Sequence, residues 1–99
     1  MAKFIQIIEL TTSRYDEVSK LMDEWVAATE GTRTPTHAYS GRDRDRGDTY
    51  LQIVEFPSYE AAMRNNDLPE TGAFAKKIEA LCDGPARFRN LDVVRDDSL

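Results

Sequence analysis

Lys3-Phe4-Ile5-Gln6-Ile7-Ile8-Glu9-Leu10 and Thr49-Tyr50-Leu51-Gln52-Ile53-Val54-Glu55-Phe56 are two copies of one pattern, and that pattern decides the fold. After its first residue each segment reads aromatic, aliphatic, Gln, aliphatic, aliphatic, Glu, apolar. β-branched and aromatic side chains dominate both, which suits a pleated and buried strand. Each copy then runs into a helix-start signal: Thr12-Ser13 with Asp16 and Glu17 in the opening turn, and Pro57-Ser58 with Glu60. A strand-helix unit repeated in tandem is the frame of the chain.

Working outward, Tyr15, Val18, Met22, Trp25 and Val26 recur at helical spacing and predict an amphipathic helix from about Arg14 to Glu30, stopped by Gly31. Leu68-Pro69 divides the second helical region, because proline disfavours a helical residue before it. The expectation is a short helix from Ser58 to about Asn65, a kink through Asn66 to Pro69, and a second piece capped by Thr71. That piece carries Phe74, Ile78, Leu81 and Cys82 on one stripe and ends at Gly84-Pro85. Thr36 to Gly41 reads as a polar edge strand. Phe88 to Val94 reads as the last strand, with Leu91 and Val93 on one face; Phe88 falls off that parity, which predicts a bulge near Arg89-Asn90. The order strand, helix, strand, strand, helix, strand is α+β and ferredoxin-like, a βαββαβ unit whose four-stranded antiparallel sheet holds the two repeated strands at its centre.

A chain of 99 residues buries about 65% of its unfolded surface, enough for one compact domain over residues 1 to 99. The 13 basic against 18 acidic side chains, a net charge of -5, have the wrong sign for phosphate-backbone binding, so nucleic acid is not an expected partner. Trp25-Val26-Ala27-Ala28 is the longest apolar run, far below the roughly 20 residues that span a bilayer, and no signal-peptide core follows Met1-Ala2-Lys3. A cytoplasmic protein without membrane attachment is expected. With one Cys and one His, neither an intramolecular disulfide nor a Cys/His zinc site can be built.

Both faces of the central strands are apolar. Phe4, Gln6, Ile8 and Leu10 alternate with Ile5 and Ile7, and Tyr50, Gln52, Val54 and Phe56 alternate with Leu51 and Ile53. Two helices cover one face of such a sheet, whereas a half-solvated sheet shows clean apolar-polar alternation. A few hundred Å² of uncovered aliphatic surface costs several kcal/mol at roughly 25 cal/mol per Å². A homodimer packed sheet to sheet is the expected cover.

The stretch Lys3-Phe4-Ile5-Gln6-Ile7-Ile8, the Tyr50 to Glu55 strand running into Phe56-Pro57-Ser58-Tyr59-Glu60-Ala61-Ala62, and the closing Phe88-Arg89-Asn90-Leu91-Asp92-Val93-Val94 together resemble the dimeric α/β-barrel superfamily. Within it the chain is most similar to the antibiotic biosynthesis monooxygenase-like group, which has many small actinobacterial members. The resemblance implies a dimer that binds a small apolar or aromatic ligand and oxidises an aromatic or polyketide-like compound without a bound cofactor. The superfamily also holds haem-degrading enzymes, isomerases and stress-response proteins, so a non-catalytic binding or stress-response module is the alternative. Haem-degrading relatives use a helix histidine as iron ligand near the position of Asn65 and Asn66; its absence here argues against haem. The asparagine pair is read instead as a cap on the broken helix.

His37, the only imidazole, is the candidate general base that the group's oxygenases need to deprotonate a phenolic or enolic substrate; the alternative is a surface histidine on an edge strand. Tyr39 shares its parity. Gln6 and Gln52 interrupt apolar strand faces, and either bond each other across the central strands or point into a cavity and orient a ligand. In the cavity reading Trp25, Tyr50 and Phe74 are its apolar walls. Cys82 reads as a small buried hydrophobe. The run Arg42-Asp43-Arg44-Asp45-Arg46-Gly47-Asp48 alternates charges that cancel and reads as a solvated loop; its Arg-Gly-Asp triplet has no secreted context. Asp43, Asp45 and Asp48 lack the remaining ligands of a calcium loop, and no metal cluster is expected.

Overall fold

The computed structural model describes residues 2–99. The chain runs β1 (Phe4–Thr11), α1 (Tyr15–Ala28), β2 (His37–Arg42), β3 (Thr49–Phe56), α2 (Tyr59–Asn66), α3 (Pro69–Leu81) and β4 (Arg87–Asp92). The sheet order is β2-β3-β1-β4 and every pairing is antiparallel, so the two repeated segments lie side by side at the centre. This is the ferredoxin-like α+β arrangement, with the second helical region divided in two.

Even-numbered strand residues face the helices. Phe4 and Phe56 pack with Ala62 of α2 at one end of the sheet, while Leu10 packs with Val18 of α1 and Ile78 of α3 at the other. Gln6 and Gln52 fall between these two clusters, where apolar packing is interrupted. The core is split, with a gap between its halves. On the opposite face Ile5, Ile7, Leu51 and Ile53 are only half-buried, and Leu91 and Tyr39 beside them are exposed.

The two helix starts differ from expectation. Thr12 does not cap α1. Its hydroxyl accepts from the Arg14 backbone N–H at 3.0 Å and donates to the Leu81 carbonyl at 2.6 Å, tying the β1-α1 turn to the end of α3. Thr71 lies within α3, not at its cap. Pro69 occupies the first turn, where a missing N–H costs nothing, and the extended residue before it, Leu68, is the cap. Ser58 behaves as read, accepting from the Ala61 N–H at 3.1 Å.

β4 has no bulge. It pairs with β1 in unbroken register from Phe4↔Asp92 to Glu9↔Arg87, so Phe88 faces the helices and Leu91 the opposite side. Both faces of this edge strand carry apolar residues, which makes the bulge unnecessary. The Arg42 to Asp48 stretch is a tight connection, with the Asp43 carboxylate accepting from the Asp45 N–H at 2.8 Å.

Candidate functional site

Between the sheet and the helices lies a cavity of about 730 Å³. Its floor is the helix-facing side of the sheet, including Gln6, Ile8, Gln52, Val54 and Phe88. Its roof is Met22, Trp25 and Val26 of α1 with Thr71, Phe74, Ile78 and Glu79 of α3, and Asn65 and Asn66 close one end. The volume lies within the ordinary range for small-molecule sites, and a mainly apolar wall with a few polar groups is their usual composition.

Each glutamine has found a separate partner. Register places Gln6 opposite Val54 and Gln52 opposite Ile8, so the two amides lie diagonally and do not bond each other. Gln6 Nε2 donates to Asn90 Oδ1 at 3.2 Å across to β4, and Gln52 Nε2 donates to the Met22 thioether at 3.5 Å. Strand parity was readable in the sequence; the pairing register was not.

Trp25, Phe74, Gln6 and Gln52 line the cavity, while Tyr39 borders it from β2 with its ring on the other face of the sheet, against His37. The Trp25 indole N–H donates to the Thr71 hydroxyl at 3.0 Å and its ring lies 6.0 Å from that of Phe74, which fixes the roof where α1 crosses α3. Tyr50 is not a cavity wall: it stacks on Tyr15 with ring centroids 4.2 Å apart, at the end of β3 beyond the cavity. His37 does not line the cavity either. It pairs with Glu55 on β3, so its parity directs it to the face without helices, where it is exposed and meets the Tyr39 ring at 4.5 Å. Within one chain the imidazole and the cavity therefore lie on opposite faces of the sheet.

Asn65 and Asn66 line the cavity, although read as caps. Asp67 caps α2, and Asn65 is buried with its Oδ1 accepting from the Thr34 N–H at 3.4 Å, holding the segment that leads into β2. The signal that marks them is their i+3 and i+4 spacing from Ala62 on a helix that faces the sheet.

Cys82 also lines the cavity, at the end of α3. Burial, then the neighbouring Asp83 carboxylate, pushes its thiol above the ordinary value. The native thiol is therefore expected to react with iodoacetamide at pH 8 more slowly than in urea-unfolded chain. Equal rates would remove the shift. Because the unfolded thiol ionises first, this group subtracts stability only as pH rises through and beyond the ordinary thiol value.

Comparison with known proteins places this geometry. No family model matches the chain, and no curated protein matches it. Solved structures do. SnoaB from Streptomyces nogalater, a cofactor-independent oxygenase, superposes with a TM-score of 0.81 at 14% identity over 97% of each chain. Rv0793 from Mycobacterium tuberculosis gives 0.80 at 13% identity over 98% of this chain and 100% of that one. A Caulobacter crescentus protein assigned to antibiotic biosynthesis monooxygenases gives 0.82 at 13% identity, covering 95% and 92%. The fold is that of the antibiotic biosynthesis monooxygenase-like proteins. Among the described residues no helix is long and apolar enough to cross a membrane.

Proposed function

We propose that the protein is a cytoplasmic homodimer that binds a small aromatic or polyketide-like molecule between sheet and helices and oxidises it with dioxygen, using no bound cofactor. The observation that carries this is the cavity itself, an apolar space with Gln6, Gln52 and Asn65 on its wall, in a fold shared with a cofactor-independent oxygenase. In such a reaction the substrate supplies the electrons: an activated CH₂ takes one oxygen atom to become a carbonyl and the other leaves as water. The wall orients the ring, excludes bulk water and gives amide groups to an oxygen-bearing substituent.

The dimer reading rests on Ile5, Ile7, Leu51 and Ile53, apolar and half-buried on the face that carries no helix. A second copy of the chain covers them.

A specific observation favours the other reading, a non-catalytic binding module: no histidine lines the cavity, and its titratable side chains are Glu79 and Cys82, the ring of bordering Tyr39 lying on the other face. Dioxygen uptake with an anthrone substrate separates the two. Uptake at one O₂ per anthrone, with the carbonyl product, supports oxidation. Binding of the anthrone with no uptake above the protein-free rate supports the module.

A further inference from the structure

We propose that the cavity takes an uncharged ring compound bearing a hydroxyl or carbonyl group and rejects carboxylates, with Gln52 orienting the ligand and Glu79 repelling anions. The inference rests on the cavity being a ligand site and adds the character of the ligand's polar group.

Gln52 is 9% exposed, yet its side chain makes one hydrogen bond, and that one reaches a thioether sulfur at 3.5 Å. A carboxamide has two N–H donors and two oxygen lone pairs, and sulfur is a weak acceptor. Most buried amides fill these positions. Ser40, directly opposite Gln52 on β2, leans on the same Met22 sulfur at 3.8 Å. Asn65, 6% exposed, gives its oxygen to the Thr34 N–H, and among the described residues no group accepts from its side-chain nitrogen. Among the described residues no side-chain polar atom is both unpartnered and sealed from solvent, so the unused positions open into the cavity they line. The wall thus offers spare neutral donors and acceptors.

Its charge is equally informative. No Lys, Arg or His lines the cavity, and the one carboxylate bordering it, Glu79, is solvent-exposed on α3. An entering carboxylate loses its hydration and meets no cation, with the exposed Glu79 adding a solvent-screened repulsion, whereas a hydroxyl or carbonyl meets the free amides. A cation would find Glu79 but would leave the floor amides unused for the same desolvation, so the neutral ligand is the better match.

The test uses the whole chain and four probes sharing one ring system: naphthalene, 1-naphthol, 1-naphthoate and 1-naphthylmethylammonium. Affinities are read at pH 7 from amide and indole NMR shifts, the indole of Trp25 being the single one in the chain. 1-Naphthol is expected to bind at least tenfold more tightly than 1-naphthoate, and Glu79→Gln to narrow that gap by improving 1-naphthoate alone. Gln52→Met, with Gln52→Leu as a second variant whose spectrum reports its fold, is expected to bring 1-naphthol to the affinity of naphthalene without weakening naphthalene. Equal binding of 1-naphthoate, tighter binding of the ammonium probe, or a hydroxyl preference that survives both Gln52 variants overturns the inference while leaving the ligand site intact. Absence of any cavity shift with all four probes overturns the ligand site itself and the inference with it.

Discussion

Ile53→Lys is expected to convert a dimer into a monomer. Ile53 lies mid-strand on β3, facing away from the helices, with Ile7 of β1 and Tyr39 of β2 as its cross-strand neighbours. It is the middle of the patch that a second sheet is proposed to cover. A lysine there carries an unpaired charge into the interface, at a cost of several kcal/mol, and two-fold symmetry places the lesion twice in one contact. The dimer should weaken on the order of 10⁴-fold or more. Light scattering at micromolar concentration should give the parent twice the chain mass and the variant the chain mass, with circular dichroism unchanged. A parent already at the mass of one chain would sink the dimer.

Phe4→Ala is expected to produce the largest loss of stability. Phe4 is 3% exposed and packs with the Phe56 ring at 6.2 Å and edge-on to Tyr59 at 5.5 Å, joining β1 to β3 and the start of α2. Truncating such a residue costs about 3–5 kcal/mol, because the surrounding rings close the cavity only in part. That is a large share of the roughly 5–15 kcal/mol available to a domain, and for this size it lowers the melting temperature by on the order of 20 °C. The split core sharpens the expectation: with the packing between the ends interrupted by the cavity, the cluster at Leu10, Val18 and Ile78 cannot compensate. Calorimetry or urea titration checks it. A loss below about 1 kcal/mol would show that this end of the core is loosely packed.

Much of the architecture is legible from two octapeptides. Their alternation identifies strands, and their repetition predicts the tandem halves and the central places in the sheet. Trp25 and Phe74 on helical stripes, and Gln6 and Gln52 on the same strand parity as Phe4 and Phe56, are readable as facing one interior. Some errors have a common origin in register and local competition. The two glutamines miss each other because antiparallel pairing matched Gln6 with Val54. Phe88 needs no bulge because an edge strand here is apolar on both sides. Thr71 lost the cap to Leu68-Pro69, which holds the helix start by its backbone alone.

The site illustrates the limit. His37 is one residue among many with a suggestive side chain, and its exclusion from the cavity follows from pairing with Glu55, which no local pattern encodes. Tyr50 shares the parity of Gln52 but lies at the strand end, where Tyr15 captures its ring. Asn65 and Asn66 belong to the wall because α2 packs against β3 and the sheet end, a long-range contact.

By itself the amino-acid order determined which residues are strand and helix, which side of each strand is apolar, and that one sheet face lies beyond the reach of the chain's own helices. Those properties follow from side-chain period and from the number of elements available, and both are local or countable. Tertiary structure alone decided that the polar interruptions at Gln6 and Gln52 open a cavity between two separate packing clusters, and which side chains border it. Register, crossing and the distance between layers set that outcome, and they arise only when segments far apart in the chain meet.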